Sequence, residues 1–156
     1  SPEFEYETLL KQGDVINPAG EEYGDHNDYL AIIQRDETTG WVWSNHENAT
    51  MKFLLPGEKD DTMKYIETRL RNMGGSVVRI EKTPGGPWRP VLPHPDNFRV
   101  DGLRSRLKFT GPAAGSDWLF GADEAIGSLG NCGGGISPWG TFFTAEENFK
   151  DTWGDP

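Results

Sequence analysis

The chain's single cysteine, Cys132, opens onto three glycines in the stretch NCGGGISPWGTFFTAEENF (131–149), and two adjacent glutamates, Glu146 and Glu147, follow the aromatic run TFFTA. The glycines loosen this stretch into a loop, since they admit backbone conformations closed to other residues and let a ligand approach the main chain closely. A cysteine held among them can present its sulfur as a thiolate, a soft ligand suited to iron or zinc. The competing use of such a residue is as a small buried hydrophobe. Glu146 and Glu147 stand where a strand fixes a side chain and the next loop leaves it accessible. Neighbouring side chains of an extended chain face opposite ways, so one of the two enters any given site unless the strand bends there. A solvated acidic loop start is the plainer alternative for the pair.

Upstream, WSNHEN (43–48) repeats the arrangement, an aromatic strand running into Asn45, His46 and Glu47. At a period of two Asn45 and Glu47 share a face, and both oxygens could reach one cation while His46 points away. GDHND (24–28) comes just before an apolar run. His26 or Asp28 there is either a loop ligand or an ordinary turn residue, and turn chemistry is the preferred reading. The chain contains no GxSxG, HExxH, P-loop or dinucleotide fingerprint, which leaves serine hydrolase, zincin and nucleotide-dependent chemistries without their usual signatures. Trp153 and Gly154 do not make the WD pair of one propeller class. Metal-and-oxygen chemistry remains.

These groups need strands to hold them. Tyr29 to Gln34 and Trp41 to Ser44 flank RDETTG, a polar turn ending in Gly40, and read as a hairpin. A helix follows, capped by Asp60 or Asp61, with Met63, Ile66 and Leu70 on one face, Glu67 and Arg71 four apart, and Gly74 ending it. Ser76 to Glu81 is a third strand, and TPGGPWRPVLPHP an ordered loop. Arg106 to Thr110 and Asp117 to Phe120 read as short strands about the turn GPAAG, and Thr141 to Ala145 as the last strand. Many short strands separated by turn signals imply an all-β fold with a minor helix: a sandwich, barrel or propeller.

Composition agrees. At 156 residues the chain has the length of one domain, while 20 glycines, 11 prolines and 35% hydrophobic content favour a loop-rich β protein over a helix bundle. Six tryptophans argue against disorder. A net charge of −10 repels phosphate backbones and anionic membranes, so nucleic acid and membrane are disfavoured as partners, and it suits hard cations, although solubility alone also accounts for it. One cysteine excludes an internal disulfide. No repeat or linker divides the chain. A propeller blade takes on the order of 40 to 50 residues, so this length supplies about three blades where a closed propeller has at least about four. SPEF (1–4) looks like the translated cloning site of an expression vector, which leaves 5–156 as the folded portion.

GDHNDYLAII, WVWSNHEN followed by FLLPG, GGSVVRIEK, RLKFTGPAAGSDWL and above all NCGGGISPWGTFFTAEENF together resemble the PhoX family of bacterial alkaline phosphatases. The resemblance covers most of the chain. It implies a six-bladed β-propeller, of which this chain is an incomplete part, with ferric iron and calcium in a central pocket. Carried over by motif, Cys132 would be the iron ligand, Glu146 or Glu147 a cluster carboxylate, and Asn45 with Glu47 pocket residues. It further implies hydrolysis of phosphate monoesters and export to the periplasm or beyond by the twin-arginine route. Ala145 stands where some relatives carry cysteine. The further acidic ligands and the phosphate-binding arginine expected from the C-terminal portion of the family are not in the chain, which leaves activity of the chain alone an open question, with the rest of the propeller or self-association as the partner that would complete it. The alternative function is a non-catalytic, propeller-derived binding or assembly module.

Overall fold

The computed structural model describes residues 6–148; the readings made above for residues 1–4 and for Trp153 and Gly154 lie outside them. Strands β1 (Asn27–Gln34) and β2 (Thr39–His46) form the expected hairpin. Its turn is tied by the Asp36 carboxylate, which accepts from the backbone N–H groups of Thr38 at 2.9 Å and Thr39 at 2.8 Å and from both threonine hydroxyls. A short side chain that satisfies several turn donors at once is what Asp supplies at such a position. β2 pairs along its full length with β3 (Gly74–Glu81), antiparallel, from Thr39 opposite Glu81 to His46 opposite Gly74.

β3 lies in the middle of this sheet because β4 (Arg89–Pro90) and β5 (Phe98–Val100) both pair with its other side. Its Val77, Val78 and Ile80 are buried accordingly. Val78 joins Ile16 and Tyr23 in a compact core to which Leu10, Val42 and Leu92 add their partly buried side chains. Gly74 starts the strand at φ +101°, and a Cβ there would run into the Val100 carbonyl, so the position requires glycine.

Between β2 and β3 come α1 (Met51–Leu54) and α2 (Met63–Asn72). The cap of α2 is Thr62, whose hydroxyl accepts from Tyr65 N–H at 3.1 Å, rather than Asp60 or Asp61. The acids lie too early in the chain for that reach. The apolar face read from Met63, Ile66 and Leu70 is incompletely covered, for no α2 residue is buried. The Glu67–Arg71 pair forms at 3.7 Å.

Two further hairpins complete the described residues. β6 (Arg106–Lys108) pairs with β7 (Glu124–Ile126). The strand expected at Asp117 to Phe120 is instead a 3-10 turn over Asp117–Leu119, closed by Phe120 at φ 52°. A left-handed residue there reverses the chain and cannot continue a strand. β8 (Asn131–Ile136) pairs with β9 (Phe142–Glu146) and lies against β1 and β2. Its strand form corrects the view of NCGGG as a loop. Glycine suits this strand because a Cβ on Gly134 would strike the Tyr29 ring of β1. The fold is mostly antiparallel β-sheet with two short helices, and among the described residues no sheet closes into a barrel. No helix of the described residues is long and apolar enough to cross a membrane.

Candidate functional site

The site begins with how the ends of β1 and β2 are pinned. His46, without exposed surface, sets its ring edge-on to Tyr23 at a centroid distance of 4.7 Å. One ring nitrogen, Nδ1, lies 3.1 Å from the Asp25 carbonyl, and the other, Nε2, lies 2.7 Å from Ser76 Oγ. A carbonyl only accepts, so Nδ1 carries the proton and Nε2 accepts from the serine hydroxyl. Burial, with the Arg99 charge beside it, lowers the His46 pKa to about 3 and keeps the ring neutral. Arg99 donates to the Arg71 and Met73 carbonyls, both at 2.8 Å, and to Ser76 Oγ at 3.1 Å, binding the end of α2 to β3. The Glu47 N–H donates to the His26 carbonyl at 3.0 Å. Thr50 N–H donates to Asp25 Oδ2 at 2.6 Å, and against desolvation the hydrogen bonds from Thr50 and His26 hold the Asp25 pKa below its ordinary value. The segment before β1 is thereby stitched to the segment after β2.

That stitching sets Asp28 beside Glu47. Asn27 lies opposite His46, and the β1–β2 register shifts between Asn27 and Leu30, so Asp28 occupies an irregular step instead of a plain pleat position. β8 packs across the same end and brings Cys132. Its thiol donates to Asp28 Oδ2 at 2.9 Å. One ligand-type atom from each of Asp28, Glu47 and Cys132 lies within 4.8 Å of the others.

The electrostatics of this trio are those of acidic groups held close together. Hydrogen bonding to Asp28, then to Glu147, pushes the Cys132 thiol up to about 12, with desolvation and the two carboxylate charges adding to it. Desolvation raises the Glu47 pKa, the Asp28 and Glu147 charges raise it further, and His26 alone among the charges acting on it works the other way. Carboxylates and a thiol collected this closely repel one another once ionised. A cation would reverse the sign of every one of these interactions. The donor set is chemically suitable: a soft sulfur and hard oxygens, half-buried or exposed, on three separate stretches of chain.

The residues singled out from sequence divide as follows. Cys132 and Glu47 are in the trio, and Glu147 faces both. Glu146 turns the opposite way, its Oε1 accepting from Leu129 N–H at 2.8 Å, while the backbone of Glu147 bonds to Gly130. Asn45 is sealed from solvent and its Oδ1 accepts from Trp43 Nε1 at 2.6 Å and Thr144 Oγ1 at 2.7 Å. Asp28, for which turn chemistry was preferred, lies in β1 and touches the sulfur. Its only sequence signal was an acid at the edge of an apolar strand.

Comparison with known proteins adds three findings. The family model described as alkaline phosphatase PhoX matches residues 1–155. Among curated proteins none matches the sequence. Among solved structures, Pseudomonas fluorescens PhoX in complex with vanadate, a transition state analogue, is similar at a TM-score of 0.84 and 26% identity over 93% of this chain. The match spans 29% of that structure's chain.

Proposed function

The chain belongs to the PhoX alkaline phosphatase family, and from that premise we propose that it supplies a metal-holding part of an enzyme that hydrolyses phosphate monoesters. The observation that carries this is the Asp28, Glu47 and Cys132 trio, three ligand-type atoms within 4.8 Å of one another. Asp28 and Glu47 offer hard oxygens that suit calcium, and Cys132 offers the sulfur that suits ferric iron. Glu147 adds negative charge beside both Glu47 and Cys132. A cation bound there would neutralise phosphoryl oxygens and lower the pKa of an attacking water. Cys132 must give up its proton to ligate, and because the Asp28 carboxylate it bonds must stay ionised to ligate as well, that proton would be released to solvent. His46 stays neutral behind the site and keeps the Asp25 and Ser76 segments in place without adding positive charge.

Because the match spans 29% of the solved relative's chain, hydrolysis is assigned to the whole protein of which this sequence is a portion, and cation binding to this portion. Export to the periplasm or beyond, as the family resemblance implies, belongs to the same proposal. The test is metal analysis of this chain together with an aryl phosphate assay of the protein containing it, with vanadate as inhibitor. Iron or calcium retained, with vanadate-sensitive phosphate release, is the expected result. No metal and no phosphate release would remove the reading.

A second reading, an assembly module, is favoured by the apolar side chains that the β6–β7 hairpin leaves in solvent: Trp118 at 91%, Phe120 at 99% and Ile126 at 58% exposure. The remaining part of the propeller or a second copy would cover them. A concentration-independent monomer mass in solution would remove self-association.

A further inference from the structure

We infer that Asn45 is a positioning residue, which fixes the backbone of the Cys132 segment so that the thiol faces Asp28 and Glu47 and which offers no atom of its own to a cation. What the thiol is positioned for rests on the metal reading above; the positioning itself rests on hydrogen-bond geometry. Asn45 Nδ2 donates to the Cys132 carbonyl at 2.5 Å and to the Gly133 carbonyl at 3.1 Å. Its Oδ1 accepts from Trp43 Nε1 and Thr144 Oγ1. The amide orientation is forced, since carbonyls only accept and an indole N–H only donates. Both donors and both acceptor sites are therefore in use, and no lone pair is left for a metal ion.

The two carbonyls it holds belong to the residues that the hairpin register skips. In the β8–β9 ladder Asn131 lies opposite Glu146 and Gly134 opposite Thr144, with the register shifting between them, so Cys132 and Gly133 have no partner position. A bulge leaves its extra residue outside the ladder, and the glycines that follow contribute little conformational preference. The Asn45 amide takes over the role the ladder gives up. Its own alignment is supported from β9 and β8, where Asn131 Nδ2 donates to Thr144 Oγ1 at 3.0 Å and Ser128 Oγ donates to Asn131 Oδ1 at 2.9 Å. Trp43, Asn45 and Thr144 thus connect β2 to both strands of the cysteine hairpin.

Two variants test this, each checked by circular dichroism for an intact fold. Asn45→Leu keeps the volume and removes both donors. Thr144→Val keeps the shape and removes the hydroxyl that steadies Asn45. In metal-free protein, iodoacetamide should alkylate Cys132 about tenfold faster in Asn45→Leu and about threefold faster in Thr144→Val, as the loss of one or two hydrogen bonds implies. On titration with Co²⁺ both should bind more weakly than the parent and with a diminished sulfur-to-cobalt charge-transfer band. Parental alkylation rates in both variants would overturn the inference. Where Asn45→Leu does not fold, Thr144→Val decides alone, a parental rate overturning it. A parent that shows no sulfur–cobalt band while its variants alkylate faster would sink the metal reading and uphold the positioning.

Discussion

The Cys132 thiol donates a hydrogen bond to Asp28 Oδ2 across 104 positions of sequence, at 2.9 Å. The two residues come from the first hairpin and the last, and nothing local favours their meeting. A thiol and a carboxylate gain little from one another in water, and Glu47 and Glu147 add further negative charge to the same place. On the proposed metal reading, a cation would take up that charge.

Asp28 should therefore matter to metal binding and little to folding. Its side chain is exposed, so Asp28→Asn should leave the melting temperature close to that of the parent. The same change should weaken Ca²⁺ or Fe³⁺ binding by about tenfold or more, since a charged hard ligand is replaced by a neutral one. Calorimetric titration would measure it, and parental affinity would remove Asp28 from the site.

The two glutamates at the end of β9 should separate cleanly. Glu147→Gln should weaken cation binding with little effect on stability. Glu146→Ala should leave cation binding alone and cost about 1 kcal/mol of stability, by losing the bond to Leu129 N–H. Urea unfolding and metal titration of both variants would show the split. Equal behaviour would contradict the opposed orientations.

Gly134→Ala should loosen the site through packing. The added methyl group meets the Tyr29 ring, so β8 or Tyr29 must shift. A loss of about 1–3 kcal/mol in urea unfolding is expected, together with weaker metal binding. Unchanged values on both counts would show that β8 does not lean on β1 as described.

The hairpin turn carries the pH prediction. Hydrogen bonds from Thr39 and Thr38 hold the Asp36 pKa at about 2, below the ordinary aspartate value of 3.8. A lowered folded-state value means that the unfolded chain binds the proton more readily, so this contribution is complete above about 3.8 and disappears as pH falls toward 2. Carboxyl-resolved NMR titration should find Asp36 near the bottom of that window. A midpoint at 3.8 or higher would contradict the turn.

Much of the scaffold was legible in the sequence because it is written locally. The β-branched and aromatic runs of β1, β2 and β3 around polar turns, and the periodicity and ion pair of α2, all point one way. The misreadings fall where tertiary contact decides. NCGGG looks like a loop until Gly134 is seen against Tyr29, and Asp117 to Phe120 looks like a strand until the left-handed Phe120 turns it. Among the candidate site residues, Cys132, Glu47 and Glu147 were singled out by type and by strand ends. Asp28 did not, since an acid before an apolar run is ordinary turn chemistry, and only the stitching of Asp25, His26 and Glu47 places it against the sulfur. Asn45 was read for its oxygen, whereas both faces of its amide are engaged by Trp43, Thr144 and the Cys132 and Gly133 carbonyls of β8.

That one ion is shared by sulfur and carboxylate oxygens at this place is tested most directly by X-ray absorption at the iron edge of the iron-loaded protein. One sulfur with oxygen neighbours is expected, the sulfur disappearing in Cys132→Ser and an oxygen in Glu47→Ala. A wild-type shell without sulfur, or the same shell in all three proteins, would contradict it.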